Sequence, residues 1–262
     1  MTDLLETIED GVAWLTLNRP ERLNALDDAM HAGLPELWAR IRRDPDVAAV
    51  VVTGNGPGFC VGMDLRAVGE RGGFRQHTSD RVSEIQRMTA LQNDVWIPTI
   101  VAVNGVCAGG GLHFVADADV VIAASSATFL DPHVSVGQVS AYEVIGLLRK
   151  MPAEAVMRMA LVGRHERLSA QRALELGMVS QVVDPPERLR EEAQALGEKI
   201  ARNSPAAMAA TKRALWQAME HGLTEACRLG GRELVSMWGH PDQEEGPRAF
   251  AEKREPEWQP PR

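Results

Sequence analysis

The sequence predicts a mainly α/β protein whose last third is almost entirely helix. Three observations carry this. Short β-rich runs such as VAWLTL alternate with segments such as DDAMHAGLPELWARIRRD, where apolar residues recur at helical spacing. AAVVVTG and TIVAVNG are continuously apolar and bounded by glycine, as expected of strands buried on both faces. From Met151 onward, helical segments follow one another with a single short interruption.

Taken in order, LLETIEDG and VAWLTLNRP read as a hairpin around Asp10-Gly11, with Pro20 stopping the second strand. The helix that follows has Asp27 as its N-cap. AAVVVTG, TIVAVNG and DVVIAA read as three buried strands. Between the first two, residues 65–94 read as charged helix interrupted by a GERGGF loop. PAEAVMRMALVG, SAQRALELG, PERLREEAQALGEKIARN, PAAMAATKRALWQAM and LTEACRLGGRELVSMW then read as successive helices, with SQVVD one short strand among them. Their Met-, Leu- and Ala-rich faces pack either on the preceding residues or on another subunit, and both readings stand.

A chain of 262 residues with 45% hydrophobic content can build a sizeable core. No apolar run approaches the ~18–20 residues of a membrane span. The acidic start MTDLLETIED lacks the basic and apolar regions of a signal peptide. Cys60, Cys107 and Cys227 are odd in number and widely spaced, against a disulfide framework or a CxxC zinc site. The expectation is a soluble, cytoplasmic protein without membrane association. A net charge of −8 with interspersed signs argues against a nucleic-acid surface, and RLRE and EKRE read as solvated helix faces.

Three glycine-bearing segments stand out. GNGPG at 54–58 is not GxGxxG, and its proline interrupts the helix start that a dinucleotide loop needs. In FCVGMDL, a glycine precedes Met63 and Asp64 can cap a helix starting near Leu65. CAGGGLH ends a buried strand and opens a short helix, GGLHFVADA. Two exposed N–H groups, one from each turn, would suit an oxygen that becomes negative during reaction. Tight packing of strand against helix explains the glycines equally well.

RPERLNAL (19–26), VVVTGNGPGFCVGMDL (50–65), IPTIVAVNGVCAGGGLHFVADADVVIAA (97–124) and LSAQRALELGMVSQVV (168–183) together resemble the crotonase, or enoyl-CoA hydratase/isomerase, superfamily. FAEKREPEW (250–258) is similar to that family's C-terminal helix. The resemblance implies a crotonase-like spiral of ββα units over residues 1–195, carrying the CoA and acyl site. A C-terminal helical trimerisation region would follow over 196–262, giving a homotrimer or a dimer of trimers. It implies an acyl-CoA thioester substrate and an enolate held by the backbone N–H groups of Met63 and Gly110, with the Met63 side chain lining the acyl pocket. Arg22, Leu23, Ala25, Asp64 and Leu65 would lie along the coenzyme A portion, with Phe250 and Lys253 closing over the nucleotide from a neighbouring subunit. Coenzyme A enters as part of the substrate and no separate cofactor is implied.

The chain departs from the family where a hydratase carries its two catalytic glutamates. Those places, three residues after the oxyanion-hole glycine and after a proline about twenty residues later, are held by His113 and His133. Imidazole can move protons near neutral pH, so both are candidate acid–base groups. No third ligand has recognisable spacing, which argues against a metal site. Enoyl-CoA hydration is the leading expectation, being the family's commonest activity. Hydrolytic retro-Claisen cleavage of a β-dicarbonyl substrate is the alternative, with Asp131 or Glu143 as acidic partner to a histidine. Otherwise Asp131 is a strand-end carboxylate and Glu143 an exposed helix residue. Double-bond isomerisation and non-catalytic CoA-ligand binding complete the set. Tyr142 either lines the acyl pocket or packs in the core, and residues 66–80 lie where acyl pockets vary.

Overall fold

Residues 3–70, 72–73 and 87–260 are described in the computed structural model of the chain. Strands β1 (Leu4–Glu9) and β2 (Val12–Leu17) form the expected antiparallel hairpin, with Asp10 and Gly11 both at positive φ. Helix α1 (Asp28–Arg43) starts where Asp27 accepts the Met30 N–H at 2.9 Å. It buries Met30, Leu34, Leu37, Trp38 and Ile41, one stripe at helical spacing.

The next part repeats one pattern three times. β3 (Ala49–Gly54), β5 (Thr99–Val103) and β7 (Val120–Ala124) enter one large sheet. Each is followed by a three-residue strand, β4 (Gly58–Cys60), β6 (Val106–Ala108) or β8 (Thr128–Leu130), in a second, smaller sheet. A short helix then closes each unit: α2 (Leu65–Glu70), α3 (Leu112–Asp117) or α4 (Tyr142–Leu147). This is the spiral of ββα units, in an α/β fold. β4, β6 and β8 are parallel neighbours, so the links from strand to helix in all three units leave the same edge of the small sheet. The candidate site is built from those three links.

The large sheet has the order β1-β2-β3-β5-β7-β10, with β10 at Gln181–Val183; all pairs after the hairpin are parallel. The small sheet adds an antiparallel edge strand, β9 (Leu168–Ser169). Helices α5 (Ala153–Val162), α6 (Ala170–Glu175) and α7 (Leu189–Ala201) follow α4. The expected boundary between residues 195 and 196 falls inside α7. Leu189 and Ala193 before it, and Leu196 and Ile200 after it, all belong to or pack on the same core. The helix therefore acts as one unit covering the large sheet, further held by Trp14 donating to Gln194 at 2.7 Å.

Helices α8 (Pro205–Ala218), α9 (Leu223–Ser236) and α10 (Asp242–Glu252) complete the chain. Lys212 and Trp216 of α8 grip Asp119 beside β7, at 2.7 and 2.8 Å, and Lys212 also reaches the Ile97 carbonyl. By contrast α9 buries no residue, and Leu223, Leu234 and Trp238 stay open. Among the described residues no helix is long and apolar enough to cross a membrane. Of the expected helical stretch 65–94, α2 and a 3-10 turn at Leu91–Asn93 are described. Residues 71 and 74–86, including parts of GERGGF and of the variable acyl-pocket segment, lie outside the described residues.

Candidate active site

The β4–α2 link carries Met63. Leu26 donates its N–H to Gly62 O at 2.7 Å and accepts the Asp64 N–H at 3.0 Å, forming an isolated parallel bridge to Met63. Bridged on that side by its two neighbours, Met63 turns its own N–H and C=O the other way. The β6–α3 link approaches closely: a carbon added to Gly62 would stand 2.6 Å from Gly110 N, which only glycine at 62 (φ +82°) avoids. A carbon built on Gly110 would lie 3.8 Å from Met63 N, so the two main-chain segments run side by side.

The three glycines of CAGGGLH divide between the two readings. Gly111 is required by packing, since a side chain would meet Cys60 O at 2.3 Å, and Gly109 has φ +51°. Gly110 is under neither constraint; its nearest neighbour, at 3.4 Å, would be in ordinary contact. Its missing side chain keeps the approach to its N–H open at the start of the turn leading into α3.

Of the residues expected along coenzyme A, Arg22, Leu23 and Leu65 are exposed, whereas Ala25 is buried. Asp64 is also buried, and its carboxylate is occupied. It caps α2 by accepting the Arg66 and Ala67 N–H groups and takes Arg19 Nη2 at 3.1 Å. Burial pushes its carboxyl up, but Arg19 and the two amides hold it below the usual carboxylate range. Arg19 also donates to the Ala25 carbonyl at 2.6 Å and pairs with Asp27 at 3.3 Å. This arginine was not singled out from the sequence, although it opens the quoted RPERLNAL motif. Phe250 and Lys253 sit exposed at the C-terminal end of α10.

The β8–α4 link brings both histidines together with both candidate acids. Asp131 is fully buried. Its Oδ1 accepts the His133 ring Nδ1–H at 2.6 Å and the His133 main-chain N–H at 3.1 Å, while the Ser140 hydroxyl donates to Oδ2. His133 therefore presents Nε2, which stands 3.6 Å from Glu143 Oε1. The same Oε1 meets His113 Nε2 at 3.1 Å, and His113 Nδ1 faces Gln92 Nε2 at 3.5 Å. Glu143 is thus a buried carboxylate between two imidazoles, correcting its reading as an exposed helix residue: the first turn of α4 faces α3. Tyr142, just before it, is 45% exposed and no part of the core.

The charges support one another. The Asp131 hydrogen bond pushes the His133 imidazole up, against burial and with help from Glu143. Burial pushes Asp131 and Glu143 up, but the hydrogen bonds from His133 and Ser140 hold Asp131, and the His113 hydrogen bond with the neighbouring imidazoles holds Glu143, below the usual carboxylate range. His133 is the most open of the four, its side chain 24% exposed against 3% for His113. Its ring also borders the β6–α3 turn, since a carbon on Gly109 would lie 3.7 Å from His133 Cε1. The His133 ring therefore lies beside the turn that carries Gly110, with Glu143 behind it, and both ring nitrogens of His113 are engaged by protein groups. Among the described residues no cluster of three or more His, Cys, Asp or Glu side chains is arranged to hold a metal ion.

Comparison with known proteins agrees with this architecture. The profile of the enoyl-CoA hydratase/isomerase family matches residues 7–261. The chain is 35% identical to (E)-benzylidenesuccinyl-CoA hydratase of Thauera aromatica, over 95% of this chain and 96% of that protein. It is 36% identical to 1,2-epoxyphenylacetyl-CoA isomerase of Escherichia coli K12, over 98% of each. The crystal structure of an enoyl-CoA hydratase/isomerase from Mycobacterium paratuberculosis superimposes with a TM-score of 0.91 at 38% identity, covering 98% of both chains.

Proposed function

The chain belongs to the enoyl-CoA hydratase/isomerase family, and on that premise we propose that it adds water across the double bond of a 2-enoyl-CoA thioester. The thioester oxygen is received by the N–H groups of Met63 and Gly110, which stabilise the negative charge that develops there. His133 Nε2, with Nδ1–H committed to Asp131, takes a proton from a water molecule as its oxygen adds to C3. The imidazolium so formed returns that proton to C2 of the enolate, so one water is consumed and the histidine is regenerated. Glu143 Oε1, beside Nε2, orients the water and balances the imidazolium charge. His113 holds Glu143 rather than meeting substrate. Arg22, Leu23, Ala25, Asp64 and Leu65 are assigned to the coenzyme A side, Ala25 and Asp64 by shaping the loops. The open apolar residues of α9 support assembly as a homo-oligomer, a trimer or a dimer of trimers.

The observation that carries this reading is the Asp131–His133 pair at 2.6 Å, with the His133 ring beside the Gly109 turn. The same pair supports a second reading, in which water attacks a ketone of a β-dicarbonyl substrate and the oxyanion hole receives the departing enolate. A panel of 2-enoyl-CoA and β-dicarbonyl thioesters, followed by mass spectrometry, separates the two. Hydration adds the mass of water to an intact thioester and removes the conjugated absorbance, whereas retro-Claisen cleavage yields two fragments, one a carboxylic acid. His133→Gln should abolish either. Full turnover by that variant would sink both readings.

A further inference from the structure

We propose that Gln92 is a positioning residue that fixes the tautomer of His113 and, through it, the direction of the Glu143 carboxylate. Gln92 lies in the 3-10 turn Leu91–Asn93, distant in sequence from every other member of the site. Its side-chain oxygen accepts two backbone N–H groups, from Met88 at 2.9 Å and Thr89 at 3.3 Å. An amide whose oxygen is held by two donors must turn its NH2 group the other way. That group faces His113 Nδ1 at 3.5 Å. Reversing the amide would set NH2 against two backbone donors in a part-buried place, leaving them unpaired.

A ring nitrogen that faces an N–H must offer its lone pair, because a proton on Nδ1 would meet the amide hydrogen head-on. The hydrogen of neutral His113 is thereby placed on Nε2, which points at Glu143 Oε1 from 3.1 Å. The turn is also tied to the helix that carries His113. Thr89 donates its hydroxyl to Asp117 Oδ2 at 2.7 Å and accepts the Gln92 backbone N–H at 3.3 Å. His113 and Asp117 are four residues apart on α3, so the turn is fastened to one helix face at two points a single helical turn apart. Gln92 therefore has its amide orientation set by the Met88 and Thr89 N–H groups, and its distance to the ring by the Thr89–Asp117 contact.

The effect on turnover rests on the hydration reading, in which Glu143 orients the water; the tautomer does not. The test uses the whole protein labelled with 15N-histidine, its seven histidines distinguished by single substitutions. The wild type is expected to show His113 with Nε2 protonated and Nδ1 bare, without any substrate. Gln92→Glu keeps the shape and an oxygen for Met88 and Thr89, but places a second acceptor on Nδ1. It should move the hydrogen of His113 to Nδ1, or protonate both nitrogens. Gln92→Leu should leave the hydrogen on Nε2, where the Glu143 carboxylate still accepts it, but strip Nδ1 of its donor, shift its 15N signal and free the ring to turn, lowering kcat about tenfold with KM little changed, the scale of one lost hydrogen bond. An Nδ1–H tautomer in the wild type, or a ring signal unmoved in both variants, would overturn the proposal and leave the hydratase reading intact. Failure to hydrate any thioester would do the reverse.

Discussion

Replacing Asp131 by Asn isolates the contribution of charge at His133. The change keeps the shape of a fully buried side chain. The Asn oxygen can still accept the ring Nδ1–H and the main-chain N–H of His133, while its NH2 turns to Ser140, whose hydroxyl can rotate to accept. What is lost is the negative charge behind the imidazole. A hydrogen bond to a charged group contributes roughly 1.5–3 kcal/mol and a neutral one roughly 0.5–1.5, so the imidazolium formed during reaction loses about 1–1.5 kcal/mol. The plateau of kcat/KM should fall about tenfold. The pH profile carries the sign. With His133 as the proposed base, activity rises as it loses its proton, and the Asp131 hydrogen bond is the largest cause holding its pKa up. In the variant that support is gone, and the acid limb should move to lower pH while the plateau drops. The assay is loss of conjugated thioester absorbance for the best substrate across the pH range, with melting temperature as a control for folding. An acid limb that stays put or moves to higher pH would refute the assignment of His133 as base, as would an unchanged plateau.

Three further outcomes follow from the geometry. Gly62→Ala places a methyl group 2.6 Å from Gly110 N and should force the two oxyanion segments apart, lowering kcat about 100-fold or more; normal turnover would mean that Gly110 is not a donor. Lys212→Met keeps the buried stem but abandons Asp119 and the Ile97 carbonyl, costing about 3 kcal/mol, which calorimetry should read as a fall in Tm of about 6–12 °C. An unchanged Tm would show that α8 is held by other contacts. Phe250→Ala removes a ring that is 86% exposed, so Tm should move little. If the ring covers the nucleotide, steady-state kinetics should show KM for a CoA thioester raised about tenfold and KM for a pantetheine thioester unchanged.

Features controlled by local backbone chemistry were legible in the sequence. The Asp10-Gly11 hairpin, the Asp27 cap, the buried strands β3, β5 and β7 and the capping of α2 by Asp64 each follow from a few adjacent residues. The small sheet was not legible in that way. Its first three strands have three residues each, too short for any period to register, and they became visible through their order in space. The site divides likewise. Met63, Gly110, His113 and His133 were named from glycine motifs and positions in a family pattern. Glu143 was misjudged because α4 is only six residues long and its buried face depends on α3, a tertiary fact. Gln92 acts through His113, 21 residues on, and Arg19 through Asp64, 45 residues on, as well as Ala25 and Asp27 nearby; no local spacing announces the distant contacts. The carboxylates missing from positions 113 and 133 have counterparts at 131 and 143, close by in space and displaced in sequence.

The bridge between Leu26 and Met63 has a mechanical consequence. Through it, and through Arg19 holding Ala25 and Asp64 together, the loop proposed for the coenzyme A side and the backbone proposed to receive the thioester oxygen form one stiff lever. On the proposed assignment, a substrate gripping Arg22 and Leu23 with its carrier end would steady the dipole at its reactive end, so part of that distant grip would be expressed in the speed of bond making. Thioesters shortened at the carrier should therefore react slowly even when saturating.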